Sequence, residues 1–331
     1  MKKSLLNDVD QQVAKILVDL KDILEPLEVK RLETKKRLRI FWIATFASFL
    51  ILAAFVFFAY PSLLWGYLAL CIIFPVLYFF WVNPLKTTME NDFNTEVAPL
   101  ITSEFLVRSK FNMSGYINTD EYYNSDLYRT LADKYSGSNF ISGIMGDTFL
   151  QFSKLHSQYK TETRDKNGNR KTTWHTIFEG VFLIADSNKH FAGETFILPD
   201  TAERMFGGIG RWIQEKFGTK QRGELVYMED PVFEKKFVVY ATDPVEARYL
   251  LTPTMQQCFV DLVNTFGDKR VRSSFIDGKL YIAISGNFDL FAFKMNKSMV
   301  QEDTIRYYVN NLIHILSVVE ILDLNTRIWG K

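Results

Sequence analysis

Apolar residues open the chain in steps of three and four. Leu6, Val9, Val13, Ile16, Leu20, Ile23 and Leu27 trace an a/d seam over three heptads, with charge on the other positions. The spacing predicts an amphipathic helix within residues 1–39, kinked or ended at Glu25-Pro26. The seam has two readings. It is a candidate self-association seam, making a short coiled coil or docking a partner helix. Otherwise it is an apolar face that packs on the protein's own domain or lies on a bilayer.

The pattern changes at Ile40. No charged side chain occurs from there to Leu85. One helix over that run would be about 69 Å long, more than twice a hydrocarbon core of about 30 Å. Tyr60-Pro61-Ser62 is where it can break, because proline lacks an amide donor and disfavours helical geometry before it. The run therefore predicts a two-helix transmembrane hairpin over 40–85, with spans 40–59 and 62–82. Trp42 and Trp81 would mark one interface, and Tyr60, Trp65 and Tyr67 the other. Lys30, Arg31, Lys35, Lys36, Arg37 and Arg39 precede the first span. By the positive-inside rule they place both termini on the cytoplasmic side of a multi-pass membrane protein. The same six residues are candidate lipid-headgroup contacts, at about 1 kcal/mol each near an anionic surface.

Residues 86–331 read as a cytoplasmic α+β domain, an antiparallel sheet with packed helices. Residues 86–140 lean towards helix, and Ser136-Gly137-Ser138-Asn139 with Ser142-Gly143 reads as a loop. Strand patterns begin near 147. Asn167-Gly168 and Asp277-Gly278 each sit between strand-like runs and predict type I′ hairpins; the first would set Asp165 opposite Arg170 and Thr163 opposite Thr172. Phe191–Leu198, Glu224–Met228 and Phe233–Tyr240 read as further strands, and Thr201–Phe206 as a short helix. Asp243-Pro244-Val245-Glu246 is a helix start with a capping-box glutamate. Thr252-Pro253 opens a second helix and Ser298–Gln301 a long last one. The last carries Ile305, Val309, Leu312, Ile313, Leu316, Val319 and Leu322 on one stripe.

Charge and chemistry narrow the function classes. The chain carries +1 overall; residues 1–39 hold +3, leaving −2 beyond the uncharged run. That distribution does not make the basic face a nucleic-acid binder needs. Cys71 and Cys258 form neither a disulfide framework nor a zinc motif. His156, His175, His190 and His314 share no metal-ligand spacing, so no metal and no cofactor is expected. Gly207-Gly208-Ile209-Gly210 completes neither phosphate-binding glycine pattern and reads as a linker. No nucleophile elbow is present. Arg248 is an anion or partner contact, or a solvated residue beside the Asp243 cap.

Four stretches carry a family resemblance: FEGVFLIADSNKHFAGETFILPD (178–200), YMEDPVFEKKFVVYATDPVEARYLL (227–251), SFIDGKLYIAI (274–284) and VVEILDLNTRIW (318–329). Together they resemble the bacterial membrane family known as domain of unknown function 3137. The resemblance implies a bacterial inner-membrane protein and a link to LemA-like membrane proteins as partners. It carries no activity and no functional residues. The expected function is a membrane-anchored, non-enzymatic interaction or scaffold protein whose cytoplasmic domain binds a protein partner. The rival is a binding module for a small ligand or a lipid headgroup.

Overall fold

A computed structural model describes residues 9–58, 72–164, 170–187, 189, 191–200, 222–266, 271–288, 290–291, 293–322 and 324. The chain divides into two compact units. Residues 7–101 and 291–310 form one; residues 1–6, 102–290 and 311–331 form the other.

The first of these is built on α1 (Val9–Phe58), which contains Pro26 without ending there. Its buried stripe runs through Val13, Ile16, Leu20, Leu24, Leu27, Arg31, Thr34 and Leu38. A π-helical turn (Tyr78–Val82) leads into α2 (Asn83–Glu96), which packs on α1 and is followed by α3 (Ala98–Ser103). Phe93 of α2 is fully buried, with its ring 4.8 Å from Tyr308 and 5.9 Å from Phe293.

The transmembrane hairpin expected of the uncharged run is not supported. Among the described residues no helix is long and apolar enough to cross a membrane. The expected first span is the tail of α1, continuous with the charged helix before it rather than a separate element. Of the expected second span, residues 72–82 are described and the rest lies outside the described residues. The expected break at Tyr60-Pro61-Ser62 lies outside the described residues. The multi-pass inner-membrane placement with two cytoplasmic termini rested on that hairpin and falls with it.

The other unit holds the α+β fold. Its strands are β1 (Val107–Asn112), β2 (Lys134–Met145), β3 (Thr148–Arg164), β4 (Arg170–Asp186), β5 (Thr195–Pro199), β6 (Glu224–Val226), β7 (Phe237–Ala241), β8 (Val271–Ile276) and β9 (Lys279–Ser285). Among the described residues they form one sheet, β1-β2-β3-β4-β9-β8-β5-β7-β6, with every neighbouring pair antiparallel. Strand side chains alternate between two faces. On one face the segment around α4 (Thr119–Asn124) lays Ile117, Tyr122, Leu127 and Tyr128 over Leu155, Phe178, Phe182, Phe196 and Tyr281. On the other lie α5 (Pro231–Glu234), α6 (Pro244–Leu250) and α7 (Pro253–Phe266), where the rings of Phe233, Phe237 and Phe259 meet at 5.1 to 6.5 Å. The last helix, α8 (Glu302–Ile321), buries its whole expected stripe.

Local chemistry accounts for several details. Ile276 pairs with Lys279, so Asp277-Gly278 is a two-residue turn, and both residues have positive φ (51° and 73°) as a type I′ turn requires. At the first hairpin Arg164 lies opposite Arg170 and Thr163 opposite Lys171, one residue off the expected register. Residues 165–169, which hold the expected Asn167-Gly168 turn, lie outside the described residues. The expected strand 233–240 begins as helix instead. Asp230 caps α5 by accepting from the amides of Val232 (2.7 Å) and Phe233, and β7 starts at Phe237. The expected helix 201–206 and the glycine-rich stretch lie outside the described residues.

Asp243 caps α6 as expected, accepting from the amides of Val245 (2.8 Å) and Glu246 (3.1 Å). Glu246 does not complete a capping box. Its carboxylate accepts from the amides of Ala192 (2.8 Å) and Gly193 (2.6 Å), tying the approach to β5 onto the helix. Charge-assisted bonds of this kind are worth about 1.5–3 kcal/mol. Glu246→Ala is therefore expected to destabilise the domain by roughly 1–3 kcal/mol. It should also speed hydrogen exchange at the Ala192 and Gly193 amides. Unchanged exchange there would refute the tie.

Candidate functional site

The most exposed ordered element of the sheet unit is the far end of its longest hairpin. β2 accompanies β3 only as far as Gln158, and β9 accompanies β4 only from Gly180 onward. Beyond those points β3 and β4 pair as strands only with each other, and the Lys160 amide donates to Asp133 Oδ2 at 2.7 Å. Residues 159–164 and 170–176 therefore make a two-stranded ribbon, about 20 Å long at ~3.3 Å per residue. Its residues are polar and β-branched, as expected for a strand pair wetted on both sides: Thr161 lies opposite Thr173, Glu162 opposite Thr172 and Thr163 opposite Lys171.

The two ribbon faces differ. On one, the Tyr159 and His175 rings stack at 4.9 Å, and Thr161 Oγ1 lies 2.8 Å from His175 Nε2. That face is closed on itself. The other carries Trp174 opposite Lys160, then Glu162, Arg164 and Arg170. Trp174 is 47% exposed. Lys160 pairs with Glu162 at 3.3 Å in the open, a contact worth little. Glu162 is the acid of this face against Lys160, Arg164 and Arg170. A half-exposed indole with Lys160 opposite it and the Arg164–Arg170 pair further along the same face, beyond Glu162 and Thr172, has residue types that concentrate at interface centres.

The residues singled out in the sequence lie elsewhere. In the self-association seam Val13, Ile16, Leu20 and Leu27 are buried within the chain, while Val9 and Ile23 are half-buried. Leu24, not Ile23, continues the stripe, and Leu6 lies outside the described residues. The stripe is thus covered in a single chain. The six basic residues do not act as a set. Arg31 is buried, with its guanidinium on the Glu28 carboxylate (2.6 and 2.8 Å) and the Met295 carbonyl (2.7 Å). Lys30 pairs with Asp92 at 3.2 Å, whereas Lys35, Lys36, Arg37 and Arg39 are exposed. Arg248 is exposed and donates to the Pro244 carbonyl at 3.4 Å. His314 lies 4.3 Å from the Phe266 ring, and burial holds its titration below the ordinary range. Among the described residues no group of three or more His, Cys, Asp or Glu could hold a metal ion. The expected hairpin at Asn167-Gly168 pointed to these strands but not to Trp174. A lone tryptophan among threonines and lysines was the available signal.

The fold class is an antiparallel α+β sheet domain with a projecting ribbon. Residues 176–324, which span most of β4 and all of β5 to β9, match the family described as protein of unknown function, DUF3137. That stretch, just under half of the chain, is similar to the family and supports a DUF3137-like assignment. No curated protein and no solved structure matches it.

Proposed function

We propose that this chain is an interaction module that binds an acidic protein segment through the Trp174 face of the β3–β4 ribbon. The observation that carries the reading is the exposed indole of Trp174, opposite Lys160 on a ribbon face that also carries Arg164 and Arg170 beyond Glu162 and Thr172. Such a ribbon can receive a partner in two ways. Trp174 and the arginine stems supply apolar contact, and the guanidinium forks supply bidentate bonds to carboxylates. A LemA-like protein, the partner class implied by the family resemblance, is the first to test.

In the ribbon, Trp174→Ala is expected to change stability by less than about 0.5 kcal/mol, since the side chain is half in water. Partner affinity should fall by at least ~2 kcal/mol, about 30-fold. The test is photocrosslinking in cells from a benzophenone residue at position 174, with the exposed Thr87 of α2 as the control position. The reading expects one dominant adduct from 174 that disappears with Arg164→Glu/Arg170→Glu. Adducts identical to those from 87, or none, would reject it.

A further inference from the structure

A second feature lies in the helical unit and stands independently of the ribbon. The outward side of α1 changes character at Ile40. Up to that point it is charged, with Lys36 and Arg39 exposed. Beyond it Ile40, Ile43, Phe46 and Leu50 follow at steps of three and four, one side of a helix, and are 55% to 66% exposed. They lie opposite the inward side, where Leu38 and Thr45 are buried and the rings of Phe41 and Phe49 stand 6.2 and 5.6 Å from Phe74. Residues 72–77 are helix and run into the π-helical turn. There Ile72, Val76, Phe79 and Phe80 repeat the outward pattern at 48% to 72% exposure.

An ordinary chain does not leave this much apolar surface in water. A half-exposed side chain of this size presents roughly 100 Å², so these residues together present on the order of 800 Å². The largest apolar patch of a typical monomer is about 300–600 Å², whereas a standard interface buries about 800 Å² on each partner. Charge constrains what covers the surface. No charged side chain occurs from Ile40 to Leu85, so an occupant with charges of its own finds nothing here to pair them. A helix lying on a bilayer surface keeps a charged face towards the water, and residues 40–58 have none. Among the described residues no helix is long and apolar enough to cross a membrane. The same surface on a second copy is equally free of charge and equal in area. Interfaces between identical chains are also the more apolar class.

We propose that the outward stripes of residues 40–50 and 72–80 form the interface of a homodimer, packed about a two-fold axis against the same stripes of a second copy. Lys36 and Arg39 then stand at its rim. This surface is distinct from the seam at Val13, Ile16, Leu20 and Leu27, which the chain covers by itself.

The test takes the full chain in detergent-free buffer by sedimentation velocity, where a dimer is expected. Ile43→Glu/Phe46→Glu sets two charges within the stripe and should raise the dimer dissociation constant at least 100-fold. Its helical circular dichroism should match the wild type, because both side chains are exposed. Benzophenone at position 46 should crosslink in cells to a species of twice the chain's mass, with the adduct in residues 40–50 or 72–80. Benzophenone at the exposed Val18 of α1 should not. The proposal is overturned if the wild type sediments as a monomer or as aggregates without a defined dimer. It is overturned equally if the double variant dimerises as the wild type does, or if position 46 crosslinks to a different protein. A monomer that floats with phosphatidylcholine vesicles would assign the surface to lipid, and that too overturns it.

Discussion

Glu28→Ala is expected to cost about 3–5 kcal/mol, a large share of the stability of an ordinary domain. Glu28 and Arg31 stand one turn apart on α1, and their side chains are only 13% and 4% exposed. The Glu28 carboxylate accepts from Arg31 Nε (2.8 Å) and Nη2 (2.6 Å), the Ser298 hydroxyl (2.9 Å) and the Met299 amide (2.9 Å). Removing it strands a buried guanidinium and a buried amide together, and the loss of one partner of such a pair exceeds what the pair contributes by existing. The pH dependence has a definite sign. Burial alone would raise the Glu28 carboxyl above its usual 4.5, but the bonds from Arg31, Met299 and Ser298 and the Arg31 charge outweigh it, and the folded value is lowered. A depressed carboxyl stabilises the fold above its unfolded value and loses that contribution as pH falls through the folded one. Urea midpoints should therefore drop in the wild type below about pH 4.5. Glu28→Gln should be less stable at neutral pH and flatter on the acid side. Parallel acid limbs in the two proteins would show that this carboxylate does not lock α1 to residues 295–299.

Much of the sheet unit was legible because its signals are local. Asp277-Gly278 specifies its own turn, Asp243-Pro244 its own cap, and the last helix its stripe from Ile305 to Leu322. What escaped depends on partners far along the chain. β2 was read as loop because of Gly137 and Gly143. A Cβ at Gly137 would lie 2.4 Å from the Lys154 carbonyl oxygen, and one at Gly143 would lie 2.8 Å from Leu106 Cβ. These glycines mark close approach inside a strand, and Asn139, with φ of 56°, sits where the β2–β3 register shifts. β1 was missed because VRSKFN is an edge strand with few buried residues. The apolar run was read as two spans because hydropathy counts residues and does not see that a charged helix continues into it without a break. The turn after α4 had no sequence signal at all: Arg222 donates to the Asp126 and Leu127 carbonyls and Arg272 to the Leu127 carbonyl, contacts that exist only once residues some hundred positions apart are brought together.

The close approach of β4 and β9 yields the other large effect. Gly180→Ala is expected to remove at least ~3 kcal/mol, the upper end of what overpacking costs. Gly180 pairs with Leu155 on one side and Ser285 on the other, so β4 is held by two strands at this point. A Cβ there would lie 2.0 Å from the Ile284 carbonyl oxygen, 2.9 Å from its carbon and 3.0 Å from Ser285 Cα. Every one of these is a backbone atom, so no rotamer change relieves the contact; β9 itself must move. The strand cannot shift freely, because Leu280, Ile282, Ala283 and Ile284 are buried on both faces and Gly286 N donates to the Glu179 carbonyl at 2.9 Å. Gly278→Ala separates this steric cost from a conformational one. A Cβ at Gly278 meets nothing within 4 Å, but φ is 73°, so the penalty is left-handed backbone strain of about 1–2 kcal/mol. Denaturant midpoints of the two variants should therefore differ clearly, with Gly180→Ala the lower and its near-ultraviolet dichroism weakened. A Gly180→Ala protein as stable as Gly278→Ala would mean that β4 and β9 are not this close. The packing of Phe182 between the Tyr122 and Tyr281 rings, at 5.4 and 6.4 Å, would then need a different register to explain it.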